Sequence, residues 1–129
     1  MAKTKIPDEI KKEVDEIITA FNEKVYKRKL GVEFYAIYKG DFLYLNRREG
    51  EVDGPIARLR YKGKIDNWDF AIFRWSNERY DPDEFLFPGS NHLNGSIEGA
   101  LKAGNEAYPP SWAPSEKNLL DVLKYLSRK

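Results

Sequence analysis

The residues best suited to chemistry are arginines and aromatic side chains that interleave between positions 57 and 75. Arg58 and Arg60 stand in one run of alternating apolar residues, and Phe73 and Trp75 stand in the next. A guanidinium group binds phosphate or carboxylate, and an aromatic ring stacks on a nucleobase or another planar group. If both runs are strands, alternation places these four side chains on one face, where they could hold a nucleic acid or a protein partner.

The only histidine, His92, lies in a segment of glycine, serine and asparagine. An imidazole changes its charge near neutral pH, which suits a general base or a metal ligand. Ser90 and Ser96 flank it without the G-x-S-x-G pattern of a serine nucleophile, and the acidic segment 81–84 lacks the spacing of a calcium-binding loop. Since cysteine and a glycine-rich nucleotide loop are also missing, the sequence predicts no catalytic residue, no metal site and no cofactor.

The charge balance limits the class of partner. The chain of 129 residues carries 22 Lys and Arg against 21 Asp and Glu. This balance gives no long-range attraction to a polyanion, so a nucleic-acid site would need a local basic patch. The chain has neither a run of about 20 apolar residues nor the apolar core of a signal peptide. We therefore expect one soluble, cytoplasmic domain over residues 1–129, with no membrane partner.

The first element is predicted to be a helix over residues 7–30, opened by a proline and closed by Gly31. Basic residues near its end complement the helix dipole, so the basic run 24–29 is interpreted as a solvated face rather than a phosphate site. Apolar residues recur in steps of four and three, which puts them on one side of the helix. This inward stripe is Ile10, Val14, Ile17, Phe21 and Val25.

Two β-hairpins follow the helix, the first with a tight turn at Gly40. In the second hairpin, apolar residues oppose one another only if Tyr61 faces Trp68. That register also sets Arg60 opposite Asp69 as a cross-strand ion pair, whereas a shift by one residue would oppose charged and apolar side chains. The predicted core face consists of Val32, Phe34, Ala36, Tyr38, Leu43, Leu45, Ala57, Leu59, Tyr61, Trp68, Phe70 and Ile72.

The opposite face of the sheet is the candidate binding surface. An alternative is that its aromatic residues form a second core layer beneath a helix, with the arginines at the rim, because large exposed aromatic patches are unusual. If the face is exposed, it is available to a ligand. If a helix covers it, the face only stabilises the fold. Its candidate site residues are Arg58, Arg60, Phe73 and Trp75 of the second hairpin and Tyr35 and Tyr44 of the first.

The C-terminal part is predicted to be helical. Asp81 and the proline after it suit the start of a short helix, and Ser96 suits the N-cap of a second helix over residues 97–106. A proline-rich connector leads to Ser115, which would cap a final helix with leucines on one side. The expected fold is α+β, a four-stranded antiparallel sheet flanked by a long N-terminal helix and two or three C-terminal helices.

The chain resembles a family of small prokaryotic proteins described as a domain of unknown function. The resemblance covers the part of the chain before Asp81, and the segment that follows departs from the family pattern. It implies the fold and carries no activity. The matching residues are Ile6 and Pro7, the P-x-A-R-x-R-Y residues Pro55, Ala57, Arg58, Arg60 and Tyr61, and the W-x-F residues Trp68 and Phe70.

These residues favour a non-enzymatic binding or interaction module over an enzyme. Its binding surface would be the second sheet face or the loops around His92, and its partner would be a protein or a second copy of the chain. Two alternatives stay open. One is a single-stranded nucleic acid on the arginine and aromatic face, and the other is a small enzyme with a loop site near His92.

Overall fold

The computed structural model describes residues 5–26, 31–84 and 86–109. It has the predicted α+β arrangement, in which one antiparallel sheet packs one face against two helices. The predicted helix after Ser115 lies outside the described residues. The elements are α1 (Asp8–Phe21), a π-helical segment (Asn22–Tyr26), β1 (Val32–Lys39), β2 (Phe42–Glu49), β3 (Val52–Lys64), β4 (Asn67–Arg74), β5 (Arg79–Asp81), a 3₁₀ turn (Ser90–His92) and α2 (Ile97–Ala107).

The sheet has five strands in the order β1-β2-β3-β4-β5, so the prediction of four strands is wrong. The additional strand, β5, pairs antiparallel with the end of β4. The short helix predicted from Asp81 is also wrong, because the described residues 82–84 and 86–89 contain no helix and Asp81 is the last residue of β5. Its Oδ1 accepts a hydrogen bond from the backbone N–H of Asp83 at 2.9 Å, which closes a turn instead of capping a helix.

The predicted register of the second hairpin is confirmed, as are the predicted turn and face assignment of the first. Tyr61 pairs with Trp68, and Arg60 lies opposite Asp69. The prediction of an ion pair between Arg60 and Asp69 is wrong, however. The Arg60 guanidinium bonds to Asp41 instead, with 3.0 Å between Nε of Arg60 and Oδ2 of Asp41. Asp41 is buried in the β1–β2 turn, where its carboxylate needs a cation more than exposed Asp69 does.

The N-terminal helix differs from its prediction in its last turns. Regular α-helix ends at Phe21, and the π-helical segment that follows inserts extra backbone into the turn. The inward position therefore moves from Val25, which is 41% exposed, to Tyr26, which is 3% exposed. Ile18 is buried as well, although the predicted inward stripe does not include it.

Asn22, the first residue of the π-helical segment, binds the free edge of the sheet. Its Nδ2 donates to the carbonyl oxygen of Phe34 at 3.0 Å, and the N–H of Phe34 donates to its Oδ1 at 2.9 Å. β1 is an edge strand, so these two backbone groups face away from β2. One side chain thus satisfies both groups and covers part of an edge that could otherwise pair with another chain.

The second helix approaches the sheet closely because a bulge and a glycine meet there. The register between β2 and β3 shifts so that Ile56 has no partner on β2, and its side chain is buried in the core shared with the helices. A Cβ on Gly104 would lie 2.6 Å from Cγ2 of Ile56. Only glycine fits this contact, so Gly104 allows α2 to pack closely against the sheet.

The start of α2 follows its prediction. Oγ of Ser96 accepts a hydrogen bond from the backbone N–H of Gly99 at 3.0 Å, as expected of an N-cap. The described C-terminal region contains this one α-helix and the 3₁₀ turn, where two or three helices were predicted. None of the helices in the described ranges is long and apolar enough to cross a membrane.

We expect Asn22→Ala to lower the free energy of unfolding by about 1 to 3 kcal/mol, because it leaves both backbone groups of Phe34 without their partner. Urea unfolding followed by tryptophan fluorescence measures the change. Asn91→Ala, at an exposed position of the 3₁₀ turn, is the control and should change stability by less than about 0.5 kcal/mol. Equal effects of the two substitutions would show that the edge contact does not stabilise the fold.

Tyr26 should make stability depend on alkaline pH. Burial raises the pKa of Tyr26 to about 12, from 10.0 in an unfolded chain, and its hydroxyl donates to Oδ1 of Asn105 at 2.6 Å. Since the folded state holds this proton more tightly, its contribution is complete below pH 10 and is lost as the pH rises through about 12. That loss is on the order of 3 kcal/mol.

The check is to measure urea unfolding at several pH values in wild type and in Tyr26→Phe. The variant should be less stable at neutral pH, since Asn105 loses its donor, but its stability should decline less steeply above pH 10. Parallel declines in the two proteins would contradict the assignment.

Candidate functional site

The candidate site is the sheet face that points away from α1 and α2. Its residues are absent from the core cluster that the two helices share with the sheet. No helix of the described residues covers this face. Within the described ranges, its aromatic residues therefore do not form a second core layer beneath a helix. We call this surface the aromatic face, and it consists of Tyr35, Phe42, Tyr44, Arg58, Phe73, Trp75 and Tyr80.

Five rings of the aromatic face, all except that of Tyr35, form one connected network around Tyr80. The Tyr80 ring makes edge contacts with Tyr44, at 5.5 Å between centroids, and with Phe73, at 5.1 Å. Trp75 in turn packs edge-on against Phe73 at 4.9 Å. Phe73 is only 8% exposed, whereas Trp75 is 56% exposed. Phe73 is therefore the base of the patch, buried beneath rings of its own face, and Trp75 presents its indole to solvent.

Arg58 lies among these rings, opposite Tyr44 of β2 on one side and Ala71 of β4 on the other. Its guanidinium carbon is 4.5 Å from the ring centroid of Phe42 and 5.4 Å from that of Tyr80. Within the described chain it has no ion pair. Cation–π contacts of this kind hold the guanidinium in place and leave its N–H donors free to bind.

Three other cations of this sheet face have carboxylate partners. Arg48 bonds to Glu33 and lies 3.8 Å from Asp53. Arg60 bonds to Asp41, as described above, and its guanidinium is turned toward the β1–β2 turn. At the far end of β3, Lys62 lies 3.5 Å from Asp69. Unlike these three cations, Arg58 has no carboxylate partner among the described residues.

Two phenols of the face, those of Tyr35 and Tyr80, have raised pKa values and are neutral at physiological pH. Burial raises the pKa of Tyr80, with a smaller contribution from Tyr44 beside it. The hydrogen bond that the Tyr35 hydroxyl donates to Asp53, 2.6 Å long, raises the pKa of Tyr35. The surface can therefore offer stacking, apolar contact and one positive charge, but it holds no general base.

The predicted site residues do not all come together. Five of them, Arg58, Phe73, Trp75, Tyr35 and Tyr44, lie on the aromatic face, with Tyr35 at its margin beside Arg48. Arg60 shares the face but is engaged with Asp41, and His92 lies on the helix side of the molecule. The prediction also missed Phe42 and Tyr80. Strand alternation does place Phe42 on this face, although it was not chosen as a site residue, whereas Tyr80 required recognition of β5.

His92 lines a groove of about 390 Å³ between α1 and α2. Its Nε2 contacts Oε2 of Glu106, and Lys24 and Lys102 lie on the same walls. No group of three His, Cys, Asp or Glu side chains in the described ranges could hold a metal ion. The groove contains charged residues, but no serine, threonine or cysteine is among its described lining residues.

No family model matches the chain, and searches of the curated proteins and of the solved structures also find no match. The resemblance to a prokaryotic family therefore remains a prediction. What the chain can do has to be inferred from the geometry of its own surface.

Arg58 should contribute little to stability, whereas Phe73 should contribute much. We expect Arg58→Met to lower the free energy of unfolding by less than about 1 kcal/mol, because only cation–π contacts are lost. Phe73→Ala should cost about 3 to 5 kcal/mol, since it removes the base of the ring network. Urea unfolding of both variants checks this difference, and a similar large cost in both would make Arg58 a structural residue.

Proposed function

We propose that this protein is a non-enzymatic interaction module that binds a protein partner on the aromatic face. The observation that carries the proposal is the unpaired guanidinium of Arg58 within a connected network of partly exposed rings. Exposed rings are unfavourable in water, and their burial against a partner would be favourable. Soluble proteins rarely keep such a patch open unless it serves recognition.

The composition of the face fits a protein interface. Tyrosine, tryptophan and arginine dominate the residues that contribute most to binding energy, and they cluster near the centre of an interface. Here Arg58 and Tyr44 lie centrally, while the ion pairs of Arg48 and Arg60 lie toward the margins. A central apolar and aromatic area inside a charged rim is the usual anatomy of an interface.

A single-stranded nucleic acid is the second candidate for the same face, favoured by rings that can stack on bases. It is supported less well, because affinity for a nucleic acid depends on cations free to neutralise successive phosphates. Arg48 and Arg60 are engaged with carboxylates, and Asp53 and Glu33 add negative charge beside them.

An enzyme with a site near His92 is the weakest candidate. His92 has Glu106 as its partner, and the described residues around it include no nucleophile in contact with the imidazole.

Selection of peptides from a random phage-displayed library on the immobilised full chain tests the proposal. Selected peptides should bind wild type and should lose at least about tenfold in affinity with Trp75→Ala or Tyr44→Ala, because each removes a ring of the contact surface. Val25→Ala is the matched control, an exposed apolar residue on the helix side, and should bind like wild type.

Peptides that bind the Trp75 and Tyr44 variants as tightly as wild type would overturn the proposal, as would a library that yields no binder. Titration with a fluorescent oligothymidylate at roughly 50 and 200 mM salt tests the second candidate. Binding at low salt that Trp75→Ala abolishes would favour the nucleic acid and would also contradict a protein partner.

A further inference from the structure

We infer that the partner presents a single carboxylate, from an Asp or Glu side chain within an apolar segment, to the guanidinium of Arg58. The inference rests on the proposed function, because it specifies the chemistry of the partner that would bind the aromatic face. It follows from the position of Arg58, from the ion pairs around it and from the cost of covering a charge.

Arg58 is positioned before any partner arrives. Phe42 and Tyr80 both lie within cation–π distance of its guanidinium, at 4.5 and 5.4 Å from the ring centroids. Cation–π contacts of this kind restrict the side chain while its planar N–H groups remain available as donors. A carboxylate is the group that matches such a fork with two parallel hydrogen bonds.

A partner that covers the rings must also neutralise the positive charge of Arg58. Closing an apolar surface over Arg58 would remove the guanidinium from water, and an unpaired buried charge is strongly unfavourable. Among the described residues, no carboxylate pairs with Arg58, whereas Arg48, Arg60 and Lys62 on the same face each have one. The missing counter-charge therefore has to come from the partner.

The acidic residues around the aromatic face limit the partner to one carboxylate. Glu33, Asp53 and Asp69 lie toward the margins of the face, where they would repel a strongly acidic segment or a run of phosphates. The rings next to Arg58 instead favour apolar side chains on each side of the acid. An acidic residue between apolar neighbours meets both conditions.

Two phage-displayed peptide libraries with the same random positions test this inference, one with a fixed central Glu and the other with a fixed central Gln. Both are selected on the full chain as wild type, Arg58→Met and Arg79→Met. Arg79 is the matched control, an exposed arginine of β5 whose side chain alternates away from that of Tyr80. Met keeps an unbranched apolar stem of similar reach and removes the charge.

The Glu library should give binders at least about tenfold tighter than the Gln library on wild type and on Arg79→Met. This preference should vanish on Arg58→Met, and the binders should be lost with Trp75→Ala. Equal enrichment of both libraries, with Trp75-dependent binding, would overturn the carboxylate inference and leave the proposed function standing. A Glu preference that persists in Arg58→Met would also overturn it. If neither library gives a Trp75-dependent binder, the proposed function fails as well.

Discussion

The structure depends on one constraint, which is that side chains along a strand alternate between two faces. Once Tyr61 is paired with Trp68, every residue of β3 and β4 in that ladder is assigned to a face. Leu59 then points to the helices, and Arg58 points away from them. The core and the aromatic face are therefore two results of one register, and a shift of one residue would destroy both.

The covered side of the sheet is completed by contacts that fit the helices to it. The bulge at Ile56 turns one additional apolar side chain toward α2, and Gly104 leaves the space that this side chain needs. At the β1 edge of the sheet, Asn22 joins the end of the N-terminal helical region to the backbone of Phe34. These contacts bind both helices to the same side of the sheet, which explains why neither of them reaches the aromatic face.

On the open side, the rings are stabilised by one another. Phe73 is buried, and the rings of Trp75 and Tyr80 pack against it, whereas neither described α-helix contributes to this layer. The same packing leaves the outer rings partly exposed and holds Arg58 among them. Carboxylates neutralise the cations at the margins of the aromatic face. This charge pattern favours a partner with one anionic group at the centre of the face over an extended polyanion.

Local and pairwise patterns in the sequence were sufficient for much of the fold. The Gly40 turn, the register of the second hairpin and the Ser96 cap were all predicted correctly, because each depends on residues adjacent in the chain or across one hairpin. For the same reason, the sequence placed Arg58, Phe73 and Tyr44 on one face. Contacts between distant segments were not predictable in this way, as the partner of Arg60 shows.

The sequence by itself therefore determined which side chains share each face, since strand alternation has a fixed period of two residues. Only the tertiary structure decided that Tyr26 rather than Val25 points inward, that Tyr80 joins the sheet on a fifth strand, and that Asp41 is the partner of Arg60. Each of these depends on the free energy of packing between segments far apart in the chain. That same packing placed both described helices on one side and left the aromatic face uncovered within the described residues.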